Sequence, residues 1–524
     1  MESPARHHEP QDRAPISRPD SETGQSPLRK SGRIFPLRVA MVSPEIGPFA
    51  KTGGLADMVG SLSIALERLG LKLSMIMPAY GSALRGGYSL SETGMRINAT
   101  VSDRQQEATV LKTKIGQNIP VYFIRFDSYF DRDHLYGDRD GDYPDNSERF
   151  VLFSRAALEV LRHDPPDILH CHDWQSALAI PFLRTQTESY PELSSVKTVF
   201  TVHNLGFQGL FPQSDWHLLN LDFSLFTPRY LEFYGRINFL KGALLFSDAV
   251  TTVSRTYAEE IKTKEQGFGL EGILQECAGK LTGILNGADY SQWNPETDPF
   301  IAGNYSARDL SGKKKCKADL QRAFGLPEEP GTPLLGMISR LTSQKGFNLI
   351  ATALEDLFRR EIQFVLLGSG EKKYEDLFSA AVARYPKRSG VRIGFDEALA
   401  HRIEAGADMF LMPSLYEPCG LNQLYSLKYG TIPIVRATGG LKDSVEEYDP
   451  ASGEGTGFLF GPFDDRAFLA ALDRALNTYR KEKEWTALMR NSMAADFSWD
   501  RSAHEYCGLY QQLGEPSGNK GESP

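Results

Sequence analysis

A chain of 524 residues, 41% hydrophobic and 24% charged, has the composition of a globular protein of two or three domains and excludes a fibrous or disordered one. The 58 Lys and Arg against 67 Asp and Glu leave a formal net charge of −9, which argues against nucleic acid or a membrane surface as partner. No run reaches the roughly 18–20 apolar residues that a bilayer requires. The five cysteines, Cys171, Cys277, Cys316, Cys419 and Cys507, are odd in number and lack a C-x-x-C pair, so a reducing, cytoplasmic setting is expected without disulfide or zinc.

Residues 1–35 are rich in Arg, Ser and Pro, interleaved with acids and without a signal-peptide core, and read as a polar, disordered tail. Order begins with the apolar run 37–42 and the turn Ser43-Pro44-Glu45. Leu55, Val59, Leu62 and Leu66 then recur at helical spacing up to the stop signal Gly70, and 73–77 is the next strand. Strand, loop, helix, strand is a βαβ unit and implies a parallel sheet. Residues 81–120 alternate less regularly and suggest an antiparallel insertion. Further strands are expected at 121–124, 168–170, 198–202 and 249–253, with helices at 150–161 and 177–183. A second series of strands starts at 334–339 and continues at 364–368, 409–412 and 432–435. The Asn/Asp/Pro-rich stretch 286–299 and the Lys/Gly/Ser-rich stretch 311–317 read as the connection between them. The fold class expected is α/β, with two Rossmann-like, doubly wound domains facing a central cleft at the carboxyl ends of their strands.

Several loops at those strand ends carry residues suited to chemistry. Lys51-Thr52-Gly53-Gly54-Leu55-Ala56-Asp57 lies between a strand and a helix. Free amides at a helix start bind anions and Lys51 adds a charge, although a tight structural turn explains the glycines equally well. The segment fits neither the dinucleotide fingerprint nor the P-loop. Arg340 and Lys345, in Ser339-Arg340-Leu341-Thr342-Ser343-Gln344-Lys345-Gly346, leave a strand end where cations can meet phosphate; two solvated surface cations are the alternative. Thr438-Gly439-Gly440-Leu441 repeats the strand, glycine, helix arrangement and could form another anion cradle. In Pro413-Ser414-Leu415-Tyr416-Glu417-Pro418-Cys419-Gly420-Leu421, Glu417 sits on a Pro-flanked turn, suited to sugar hydroxyls or to developing positive charge.

Two histidine segments also end strands. His170-Cys171-His172-Asp173-Trp174 has a His-x-His spacing, yet strand alternation puts both rings on one face without a metal, and no further ligand motif accompanies it. His203 and Asn204, in Thr201-Val202-His203-Asn204, should project into the cleft. Asp138-Arg139-Asp140-Gly141-Asp142 fails as a calcium loop, with Tyr143 and Arg149 where Gly and Glu are needed. Tyr136, Tyr143 and Trp174 are candidates for stacking on sugar rings.

Taken in order, these segments resemble the bacterial glycogen synthase and plant starch synthase family. The matching residues are Lys51 to Asp57, His172-Asp173-Trp174, Thr201 to Asn204, Asn286-Gly287-Ala288-Asp289, Ser339-Arg340-Leu341, Gln344-Lys345-Gly346, Glu417 to Leu421 and Thr438 to Leu441. The resemblance spans about 37 to about 515. It implies a GT-B fold in which 36–281, with a crossover helix at 497–515, forms the acceptor-side domain and 282–496 binds the nucleotide sugar; 516–524 would be a flexible tail. It implies transfer of glucose from ADP-glucose to the non-reducing 4-OH of an α-1,4-glucan with retention; because Arg340, Lys345, Lys51 and the helix start can neutralise the leaving diphosphate, no metal is expected, and no cofactor. By the same resemblance Glu417, His203, Lys345 and Arg340 are catalytic. Lys51, Arg340 and Lys345 would meet the diphosphate, helped by the amides of Gly439 and Gly440. Asp57, Asn204 and Asn286 would lie near the glucosyl ring. Gly53, Gly54, Tyr143, Asp173, Trp174, Cys419, Gly420, Leu421 and Thr438 complete the substrate-binding set. Phe395 stands where the family commonly has Tyr against adenine, and Tyr425 occupies the position where related transferases carry a second Glu. A relative making maltose-1-phosphate, or a non-catalytic glucan-binding protein, would share the fold.

Overall fold

Short runs of Val, Ile, Leu and Met without charges form strands buried on both faces, as a sheet covered by helices demands. The computed structural model describes residues 36–138 and 141–515. The tails expected at 1–35 and 516–524, with Arg139 and Asp140, lie outside the described residues. The strands β1 (Arg38–Val42), β2 (Lys72–Pro78), β3 (Ser91–Val101), β4 (Arg104–Ile115), β5 (Ile119–Arg125), β6 (Ile168–His172), β7 (Lys197–Val202), β8 (Ala249–Thr252) and β9 (Leu281–Gly283) form one sheet. Its order is β9-β8-β7-β6-β1-β2-β5-β4-β3. The strands from β9 to β5 pair in parallel, and β3 and β4 add an antiparallel edge within the segment where an insertion is expected.

A second sheet holds β10 (Leu334–Ile338), β11 (Gln363–Gly368), β12 (Ser389–Ile393), β13 (Met409–Met412), β14 (Ile432–Arg436) and β15 (Phe458–Phe460) in the order β12-β11-β10-β13-β14-β15, all parallel. Both are doubly wound, and ligands of such sheets bind beyond the carboxyl ends of the strands. Each sheet has its own apolar core. The helix Gly54–Arg68 buries Leu55, Met58, Val59, Leu62 and Leu66 against the first sheet and stops at Gly70, whose φ of +91° suits glycine. The last helix, Trp499–Gly514, returns from the second sheet to pack on Gly54–Arg68, burying Ala503, Tyr506 and Tyr510 in the first core. Among the described residues no helix is long and apolar enough to cross a membrane.

One expectation is corrected. Residues 311–317 are not a connection but open the helix Ser311–Ala323, packed on Glu397–Gly406. Two of its four lysines, Lys313 and Lys317, are buried. Lys313 Nζ donates to the carbonyls of Ala405 and Tyr429, both at 3.1 Å, and to Thr431 Oγ1 at 2.7 Å. Lys317 pairs with Asp408 at 2.7 Å and donates to two further carbonyls. An ammonium has three donors and can leave water when each finds an acceptor.

Candidate active site

The loops at the carboxyl ends of the two sheets meet. A Cβ on Gly54 would stand 3.3 Å from Leu421 Cδ1, Ser254 Oγ donates to the Pro418 carbonyl at 2.6 Å, and the rings of Phe268 and Tyr416 lie 5.4 Å apart. Of the expected site residues, Gly54, Asn204 and Leu421 lie on this line, and the Pro418 contact brings the neighbouring Glu417 and Cys419 to it.

After β10, Ser343–Lys345 makes a single 3-10 turn closed by Gly346 at φ +81°. The Lys345 ammonium reaches Glu417 Oε2 at 2.6 Å, where Ser414 Oγ also donates at 3.0 Å. The Glu417 side chain is 6% exposed, so the pair works in a medium of reduced dielectric. Arg340 stands exposed at the strand end. Gln423, buried beneath the Glu417 turn, donates to the carbonyls of Cys419 and Gly420 at 3.0 and 3.1 Å and fixes its shape. Burial pushes the Cys419 thiol up to about 12, so this sulfur stays protonated and is no nucleophile at neutral pH. Asn286 is buried with its side-chain oxygen unpartnered.

Across the cleft, the 51–54 loop is held by a residue whose role the sequence did not disclose. The buried Glu45 carboxylate accepts from Thr52 N and Thr52 Oγ1, both at 2.6 Å, and from Tyr136 Oη at 2.7 Å. Lys51 pairs with Asp57 at 2.8 Å. Burial raises the Asp57 carboxyl, and Lys51 partly offsets that. No side chain caps the helix start at Gly53 and Gly54.

The histidines form a file from the core to the cleft, with His170 and His172 buried and His203 half-buried. The Asp173 carboxylate, at a φ of +55°, accepts the His203 amide at 2.8 Å; burial pushes its carboxyl up to about 7. His203 Nε2 lies 3.2 Å from His172 Nδ1. The His170 ring lies 4.1 Å from that of His172, and its nitrogens meet Tyr510 Oη at 2.7 Å and Thr201 Oγ1 at 2.6 Å. Desolvation lowers His170 and His203 to about 3, so both rings are neutral near pH 7. Below pH 6.5 an unfolded His170 takes up a proton that the native ring refuses, so this group costs stability as pH falls. Between pH 6 and pH 5 wild type should therefore lose about 1 kcal/mol more than a His170→Gln variant. Urea titrations of both at the two pH values check it, and parallel losses would refute the neutral ring.

Three expectations change. The Gly439 and Gly440 amides are not an open cradle. Gly439 N donates to both oxygens of Glu260, each at 3.1 Å, and Thr438 Oγ1 to the same carboxylate at 2.9 Å. Gly440 N is bonded to the carbonyls of Glu417 and Pro418. The glycines are needed for close packing, since a Cβ would come within 1.9 Å of the Glu417 oxygen at 439 and 2.1 Å of the Cys419 oxygen at 440. Trp174 is not a free face but a wall packed at 5.0 Å on Phe150 and 5.6 Å on Phe211. Tyr143 is stacked under two guanidinium groups, Arg132 and Arg149, at 4.7 and 5.2 Å. By contrast Phe395 projects 84% exposed from the loop after β12. Tyr425 stacks on Trp293 at 4.2 Å, nearly parallel.

Two facing Rossmann-like domains, tied by a returning C-terminal helix and carrying a Lys–Glu pair and neutral histidines where their strand ends meet, are the architecture of a GT-B glycosyltransferase. Residues 38–276 match the family described as starch synthase catalytic domain, and 321–491 match glycosyl transferases group 1. A glycogen synthase of Koribacter versatilis is 50% identical over 478 residues, covering 91% of this chain and 98% of the relative. One of Syntrophotalea carbinolica is 45% identical over 481 residues, with 91% and 99% covered. Among solved structures, the catalytic domain of Starch Synthase IV from Arabidopsis thaliana, bound to ADP and acarbose, superposes with a TM-score of 0.83 at 37% identity, covering 92% of this chain and all of that one. The chain belongs to the glycogen synthase and starch synthase family of glycosyltransferases.

Proposed function

We propose that the chain transfers glucose from ADP-glucose to the non-reducing 4-OH of an α-1,4-glucan, with retention, in the cytoplasm and without a divalent metal or cofactor. Residues 36–281, joined by the crossover helix at 497–515, would hold the acceptor, and 282–496 the donor. The observation that carries the reading is the Lys345–Glu417 pair at 2.6 Å, with Arg340 exposed at the end of the preceding strand and Lys51 on the loop of the first domain. The name and bound ADP of the Arabidopsis structure support the donor class.

Breaking the glycosidic bond separates an oxocarbenium-like sugar from a diphosphate. In our reading Lys345, Arg340 and Lys51, with the free helix start at Gly53 and Gly54, stabilise the leaving group electrostatically. Glu417 lies against the cationic sugar, His203 and Asn204 hold its hydroxyls, and Asp173 fixes the His203 backbone. Asp57 and Asn286 line the same ring site, with the Cys419, Gly420 and Leu421 backbone behind it. Phe395 closes on the adenine. The acceptor oxygen attacks from the face the diphosphate leaves, and a phosphate oxygen takes its proton, so no second carboxylate is required as nucleophile. Radiolabel transfer from ADP-glucose to glycogen in excess EDTA tests the whole scheme. Undiminished transfer is expected. Activity regained only on adding a divalent ion would overturn the electrostatic account, and labelling of glucose-1-phosphate rather than glycogen would favour the maltose-1-phosphate reaction.

A further inference from the structure

We propose that Phe268 and Tyr234, backed by Phe233 and Tyr416, form an aromatic rest on which the acceptor glucan lies as it leaves the cleft. The proposal rests on the transfer reaction above and adds where the chain beyond the reacting end is held.

The path starts at the site. A Cβ built on Gly206 would meet Tyr416 Oη at 2.9 Å, Asn204 Oδ1 at 3.1 Å and Phe268 Cε1 at 3.8 Å, so these three groups converge two to three residues beyond His203. The next residue after Phe268 is Gly269, where a Cβ would meet Phe233 Cζ at 2.8 Å and Tyr234 Cε2 at 3.5 Å. Phe233 and Tyr234 stand edge to face at 4.8 Å. The Phe268–Tyr416 pair and the Phe233–Tyr234 pair therefore flank the consecutive residues Phe268 and Gly269.

Two features set this run apart from ordinary surface. Phe268 is 40% and Tyr234 83% exposed, although both are large rings that folding alone would bury. Both also sit at positive φ, +50° and +49°, a region bulky residues avoid and that is usually maintained where function needs it. The loops are held in place. Gln208 Nε2 donates to the Phe268 carbonyl at 3.1 Å, and Asn238 Nδ2 donates to Gln208 Oε1 at 2.7 Å, Asn238 belonging to the small antiparallel sheet of Leu210–Pro212, Glu232–Phe233 and Arg236–Asn238. A fixed, exposed aromatic face suits the C–H face of a pyranose and loses little entropy on binding. Successive glucose units offer such faces along one strand, so the chemistry of the occupant is that of a glucan continuing from the reacting 4-OH.

Initial rates with ADP-glucose and either maltose or maltoheptaose, for wild type, Tyr234→Ala and Tyr234→Trp, test this. For Tyr234→Ala the KM for maltoheptaose should rise about 10-fold, the loss of one aromatic contact. Its kcat and its KM for maltose should stay within about 2-fold, and Tyr234→Trp should restore the long-chain KM. Tyr234→Ala with an unchanged KM for maltoheptaose, or with equal changes on both acceptors, would overturn the aromatic rest. Wild-type transfer to maltose reports separately on the transfer reaction. Should it be missing, calorimetric binding of maltoheptaose to the same three proteins decides the proposal by the same order of affinities.

Discussion

Replacing Lys345 with Ala is expected to lower kcat by roughly 10²–10³ while leaving the fold intact, the loss typical when one preorganised charge-stabilising donor is removed. The size follows from where the ammonium sits. It is held 2.6 Å from a carboxylate whose side chain is 6% exposed, on a one-turn loop at the end of β10. In such a place a charge is little screened and needs no reorganisation when the diphosphate departs. The substitution also leaves Glu417 without its cation, so a stability loss of about 1–3 kcal/mol should accompany it. Lys345→Ala/Glu417→Gln should recover much of that stability and none of the turnover, which separates the structural part of the pair from the chemical part. Lys345→Arg should rescue only partly, because a planar fork does not place charge at one point as an ammonium does. The measurements are ADP release at saturating donor and acceptor, with urea unfolding on the same samples. Turnover of Lys345→Ala within a few-fold of wild type would remove the leaving-group argument.

The parts of the site that local sequence could reveal are those with a local cause. The apolar runs of β1, β10, β13 and β14 and the helical spacing of Leu55 to Leu66 are written in consecutive residues, and so are the loops that follow them. The strands β9 and β12 are partly polar and β15 is only three residues long, so none carries such a run, and they form because a neighbour is already in place. Residues 311–317 misled for a related reason, since the acceptors that let Lys313 leave water come from 405, 429 and 431. The same holds inside the cleft. Glu45 looks like a turn residue until Thr52 and Tyr136 are seen on its carboxylate, and Glu260 draws no notice in sequence until it is seen on the Gly439 amide. Gly439 and Gly440 look open to a ligand in sequence because two glycines state only that a backbone must come close. Which backbone comes close is a tertiary fact. His203 and His172 could be placed at strand ends from sequence, but the burial that keeps such rings neutral is a tertiary fact, as at His170, where the helix Trp499–Gly514 brings Tyr506 and Tyr510 against the ring.

Gly346→Ala should be among the most damaging single-methyl changes in the chain, with a stability loss of about 3 kcal/mol or more and turnover at least 10²-fold below wild type. Its φ of +81° already disfavours any side chain by roughly 1–2 kcal/mol. The added Cβ would then fall 2.0 Å from the Pro413 carbonyl oxygen, a backbone atom at the end of β13 that cannot rotate away. Relief requires the 343–346 turn to move off the 413–417 turn. That separation breaks the Leu415 N to Gln344 O bond of 2.8 Å and carries the Lys345 ammonium away from Glu417. Gly325→Ala is the matching control, because φ there is +68° with nothing within 4 Å of a built Cβ. It should lose only the conformational part, about 1–2 kcal/mol, with turnover unchanged. Thermal unfolding and kcat of the two variants, side by side, separate clash from strain: equal losses would mean that the close approach of Gly346 to Pro413 does not set the geometry of the Lys345–Glu417 pair.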